Sequence, residues 1–100
     1  TAPAFSPLPL DFHARIPCDD TFVPIVAELT GRLAKVAGFD EARCSDIGRE
    51  VEEAFTRNLR NSDRSAGSME LALRVTATAF DASVLCGTTP LLDLSWPRPA

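Results

Sequence analysis

Residues 50–61 read Glu-Val-Glu-Glu-Ala-Phe-Thr-Arg-Asn-Leu-Arg-Asn. Val51, Ala54, Phe55 and Leu59 recur at spacings of three and four, the period of a helix with one apolar face. Upstream, Cys44 and Ile47 continue that face, and Asp40 stands where an N-cap belongs. A long amphipathic helix therefore runs from Asp40 to about residue 60. Glu53 and Arg57 are four residues apart on it, so they share a face and point to the same surroundings.

A second helix precedes it. Asp19, Asp20 and Thr21 offer caps, and Pro24 fits the first turn, where its missing N–H costs nothing. Phe22, Ile25, Val26, Leu29, Leu33 and Val36 follow helical spacing and predict the buried face. Ala27, Gly31, Ala34 and Gly38 form another stripe, of small residues, against which a second backbone can pack closely. That backbone belongs either to the same domain or to a second copy. Gly38 also suits the left-handed residue that ends a helix.

The rest reads as strands. Phe12, Ala14 and Ile16 alternate with His13 and Arg15 in a first strand ending at Pro17, with His13 on its polar side. Residues 61–68 carry loop chemistry. Met69, Leu71, Leu73, Val75 and Ala77 alternate with polar neighbours, as do Phe80, Ala82 and Val84. A turn over 87–90 precedes a short strand with Leu92, Leu94 and Trp96, stopped by Pro97 and Pro99. The order predicts an α+β fold, two helices packed on one face of a mainly antiparallel sheet. Residues 1–11, with Pro3, Pro7 and Pro9, read as a proline-rich arm, 12–96 as a single domain and 97–100 as a tail. The expected core is Phe22, Leu29, Leu33, Ile47, Val51, Phe55, Leu71, Leu73 and Val84.

Composition narrows the function. A chain of 100 residues makes one domain. A hydrophobic fraction of 45% with 24% charged residues is that of a soluble globular protein. The net charge of −4 argues against a nucleic-acid surface, which needs a basic stripe. Cys18, Cys44 and Cys86 are odd in number and far apart, and read as buried reduced thiols rather than metal ligands. No run approaches the roughly 18 apolar residues of a membrane span. The first residues lack a secretory signal, so a cytoplasmic location is expected.

The helix residues Glu53, Ala54 and Thr56 resemble the nucleotide-site motif of anti-sigma-factor serine kinases, which belong to the histidine-kinase-like (GHKL) ATPases. That motif runs roughly Glu-Ala-x-Thr-Asn-Ala-x-x-His. The segments around Arg15-Ile-Pro-Cys-Asp-Asp and Gly38-Phe-Asp-Glu-Ala-Arg are similar to the family's opening strand and its link between helices. The resemblance covers about residues 12–62. It implies a kinase-like fold in which Glu53 is the catalytic base. Arg57 then takes the position of the magnesium-binding Asn, and Asn61 that of the His. Guanidinium offers only donors and a positive charge, and cannot ligate a hard cation. Asn58 is no replacement, because one residue along a helix turns the side chain by about 100°. The family's Asp-x-Gly-x-Gly, whose Asp reads adenine, corresponds to Leu85-Cys-Gly-Thr-Thr-Pro, where Gly87 alone remains.

The implied function is a non-catalytic regulatory domain that binds a protein, such as a sigma factor, an anti-sigma antagonist or a second copy, with no cofactor and no metal. The competing reading is an ATP-binding serine/threonine kinase with an altered metal site, in which Arg57 and Asn61 meet the nucleotide. On plain helix chemistry, Glu53 and Arg57 are a solvated ion pair.

Overall fold

The computed structural model describes residues 9–62 and 67–99. Strand β1 spans Leu10–Pro17, followed by a single 3-10 turn at Asp20–Phe22. Helices α1 (Val23–Val36) and α2 (Glu41–Arg60) come next. Strands β2 (Ser68–Val75), β3 (Ala79–Cys86) and β4 (Thr89–Pro97) complete the chain. The sheet is a four-stranded antiparallel meander in the order β1-β2-β3-β4. The expected α+β architecture is the observed one.

Period-two burial divides the sheet into two faces. Met69, Leu71, Leu73 and Val75 from β2 are buried with Phe80, Ala82, Val84 and Cys86 from β3, under the helices. The opposite face is polar. There Arg15 pairs with Glu70, Arg74 with Asp11, and Ser95 donates to Asp81. His13 is exposed on that face, as its alternation predicted.

One aspartate caps the 3-10 turn that leads into α1, whose own N-cap is Phe22, and another caps α2. The Asp19 carboxylate accepts from Thr21 N at 2.9 Å, and that of Asp40 from Arg43 N at 2.8 Å. Pro24 occupies the first turn of α1. Gly38, at φ 103°, ends that helix in the left-handed region, and Phe39 N returns to Ala34 O at 3.1 Å.

The phase of α1 differs from the expected one. Val23, Val26, Ala27, Thr30, Ala34 and Ala37 are buried, whereas Ile25 is 54% and Val36 49% exposed. Phe22, Leu29 and Leu33 are half-buried rather than central. The buried face lies one residue further along, a rotation of about 100°. The cause is the small-residue stripe, which packs on α2. A Cβ added to Gly31 would stand 3.3 Å from Cys44 O, and one on Gly48 would stand 3.3 Å from Ala27 O. The helices approach backbone to backbone there, and larger side chains are displaced to the flanks. Thr30 tolerates full burial because its hydroxyl donates to Val26 O at 2.7 Å. The stripe thus serves contact within the domain.

In α2 the expected face is the observed one: Ile47, Val51, Phe55 and Leu59 are completely buried. The helix runs antiparallel to β4 and is fastened to it twice. Trp96 Nε1 donates to Glu50 Oε2 at 2.7 Å, and Asn58 Nδ2 to Leu91 O at 2.7 Å. Leu91 is the extra residue of a bulge, since Val84 faces Leu92 while Leu85 faces Pro90. The bulge turns Leu91 and Leu92 both into the core and leaves the Leu91 carbonyl for Asn58.

Three boundaries move. Leu10 and Asp11, read as arm, already belong to β1, and residues 1–8 of the arm lie outside the described residues. β2 stops at Val75, because the Thr76 hydroxyl accepts from Ala79 N at 3.1 Å and closes the hairpin. Ala77 is exposed in that turn. β4 extends from Thr89 through Pro97, and Arg98 is fixed rather than loose: its guanidinium donates to Ala37 O at 2.8 Å and Thr76 O at 2.9 Å.

Candidate functional site on the outer face of the second helix

Burial of Ile47, Val51, Phe55 and Leu59 forces the opposite side of α2 to solvent. Glu53, Arg57 and Asn61, at i, i+4 and i+8, lie exposed on that side. With Arg49, Glu52, Thr56 and Arg60 they line a hollow of about 610 Å³. The structure thus brings the three sequence-derived site residues together. Acids stand toward the middle of the helix, and Arg57, Arg60 and Asn61 stand at its C-terminal end. Two guanidinium groups there also complement the negative end of the helix dipole.

Glu53 and Arg57 do not form the ion pair that their spacing allows. Among the described residues neither takes part in an ion pair, while Arg49 on the preceding turn is held by Asp46. Arg57 therefore keeps its donors available to an outside anion. Asn58, one position along, points to Leu91 O and is committed to the fold.

A groove of about 770 Å³ adjoins this hollow, with Arg49 and Glu52 lining both. It runs between α1 and α2 over the close contact at Gly31 and Gly48, and is rimmed by Glu28, Arg32, Lys35 and Glu41. Sequence reasoning located the small residues but not this groove. The groove follows from Gly48, on α2, facing the stripe on α1.

The segment 85–90, where the resemblance places the adenine-reading loop and lid, is a tight hairpin. Cys86 pairs with Thr89, leaving Gly87 and Thr88 as the turn, with Gly87 at φ 64°. Glycine in the left-handed region at the first turn position is the chemistry of a two-residue hairpin. Asp81 and Asp93 stand on the strands instead: Asp81 accepts from Ser95, and Asp93 is exposed opposite Ser83.

The thiols depart in part from the expected burial. Cys86 is buried, but Cys18 and Cys44 are half-buried. Cys44 Sγ donates to Phe39 O at 3.5 Å. Burial, and next the Asp40 carboxylate, push its pKa up, which keeps it protonated and a poor nucleophile. Cys18 and Cys86 lie with their sulfurs 3.8 Å apart. No group of three or more metal-ligating side chains meets among the described residues. Among them, too, no helix is long and apolar enough to cross a membrane.

No family model matches the chain, and no curated protein matches it.

Proposed function

We propose that this domain is a non-catalytic regulatory module on an anti-sigma-kinase-like fold, docking a protein partner on the outer face of α2. The partner class is a sigma factor or an anti-sigma antagonist, and the compartment is the cytoplasm. The observation that carries this reading is the Gly87–Thr88 turn. It joins β3 directly to β4 at the position where the resemblance would put an adenine-reading Asp and a lid. Arg57 in the metal position points the same way, because its charge opposes magnesium. What stays exposed is a mixed-charge face with two acids, Glu52 and Glu53, beside the donors Arg57, Arg60 and Asn61. Such a face suits a partner carrying complementary carboxylates and cations, and electrostatic match of that kind governs specificity and association rate. One observation favours the kinase alternative: Glu53 and Arg57 share the rim of a single hollow, so a phosphate held by Arg57 would have the Glu53 carboxylate beside it as a base.

The docking reading is tested by titrating sigma factors and anti-sigma antagonists of the source organism against the wild-type domain and a Glu53→Lys/Arg57→Glu variant. The double change conserves net charge and reverses the pattern. One partner is expected to bind the wild type and to bind the variant at least about tenfold more weakly, while the variant stays folded with a melting temperature lowered by no more than about 10 °C, the cost of a reversed charge at the helix end. A partner held equally by both proteins would place docking elsewhere.

A further inference from the structure

The Cys18–Cys86 contact is independent of the α2 face. Cys18 follows β1 in the bend where the chain leaves the sheet for the helix layer, and its amide donates to Gly67 O at 3.2 Å. Cys86 ends β3. Strand β2 lies between these two strands in the sheet. Backbones two strands apart are separated by roughly 10 Å, so facing side chains do not ordinarily touch. Here the two sulfurs approach to 3.8 Å, both on the core side of the sheet. A disulfide needs them at about 2 Å, with the Cα atoms no more than about 7 Å apart, so oxidation draws the exit of β1 and the end of β3 together. Cys44 sits on α2, with its sulfur turned to Phe39 O.

The geometry points to Cys18 and Cys86 as a reversible dithiol–disulfide site, oxidised by exchange with a low-molecular-weight disulfide such as oxidised glutathione. Cys18 is the entry point, because it is half-buried while Cys86 is buried. Its thiolate attacks one sulfur of the oxidant, forming a mixed disulfide and releasing one thiol. The Cys86 thiolate then attacks Cys18 Sγ and expels the second. Two electrons pass from the protein sulfurs to the oxidant, and the two protons leave with the released thiols. The product ties the exit of β1 to the end of β3 and closes a loop over 68 positions of sequence. Because the site closes a long loop, oxidation raises the resistance of the whole domain to unfolding.

The test incubates the full chain with a glutathione redox series, denatures it under acid and counts thiols. Oxidation is expected to reduce the reactive thiols from three to one, to lower the intact mass by about 2 Da, and to give a Cys18–Cys86 linked peptide. The melting temperature should rise by about 10 °C and return on reduction. Cys44→Ser should behave like the parent, and Cys18→Ser should lose the response. Cys18→Ser is preferred to Cys86→Ser because its side chain is only half-buried. A stable glutathione adduct on Cys18, a link that includes Cys44, or three thiols surviving oxidation would each overturn the proposal.

Discussion

Replacing Phe55 by alanine is expected to lower the unfolding free energy by about 3–5 kcal/mol, measured from urea midpoints. Phe55 is completely buried near the middle of the apolar face of α2, beneath which the sheet contributes Leu71, Leu73 and Val84. Truncation removes an aromatic ring from a close-packed interior and leaves a cavity that the surrounding strands cannot fill. Against a total of roughly 5–15 kcal/mol, this is a large fraction. Leu33→Ala should cost less, because Leu33 is half-buried beside the α1–α2 contact. If Phe55→Ala cost under about 1 kcal/mol, α2 would not be packed on the sheet through this face.

Arg98→Ala is expected to cost roughly 2 kcal/mol. One guanidinium joins three parts of the fold: its own strand end, Ala37 O at the end of α1, and Thr76 O in the β2–β3 turn. Alanine leaves both carbonyls without that donor and removes the charge that strengthens the bonds. Arg98→Lys should recover only part of the loss, since a single ammonium does not reproduce the planar fork that reaches two acceptors. Hydrogen exchange gives a second readout. Amides at the end of α1 and in the 76–79 turn should lose protection together in Arg98→Ala, while the centre of α2 stays protected. Unchanged exchange at both places would show that Arg98 does not couple them.

The sequence was most legible where local signals agreed. In α2, a capping aspartate at Asp40 and the apolar series Ile47, Val51, Phe55 and Leu59 specify the same helix and the same face. The i, i+4 spacing puts Glu53, Arg57 and Asn61 on one face, and they line one hollow. In α1 two stripes competed, and the heavier one, with Ile25, Leu29, Leu33 and Val36, is the natural choice when hydrophobic mass is weighed. The choice was decided instead by Gly48, on the other helix, which admits Ala27 and Gly31 at backbone distance. No local pattern carries that information. The same holds for Asn58, whose role depends on a bulge in β4, and for Cys18 and Cys86, which meet across 68 positions of sequence. The hairpin between β2 and β3 is expected, but the sequence does not place its turn, because it is closed by the Thr76 hydroxyl rather than by an Asn-Gly pair.

The α2 face explains why regulatory docking and nucleotide chemistry are the two readings in contention. Its residues suit either an anionic ligand or a protein surface, and under the proposed fold likeness the tight β3–β4 hairpin favours the second. A kinase needs an element that reads the base and covers the phosphates. In this chain the strands on either side of that position are joined by Gly87 and Thr88.

Calorimetric titration of the wild-type domain and of Arg57→Asn with ATP, each with and without magnesium, tests this most directly. The account predicts no magnesium-dependent binding to either protein, because restoring an oxygen ligand at position 57 supplies neither a base-reading group nor a cover for the phosphates. A magnesium-dependent dissociation constant in the micromolar range, for the wild type or for Arg57→Asn, would contradict it and return the domain to the nucleotide-binding class.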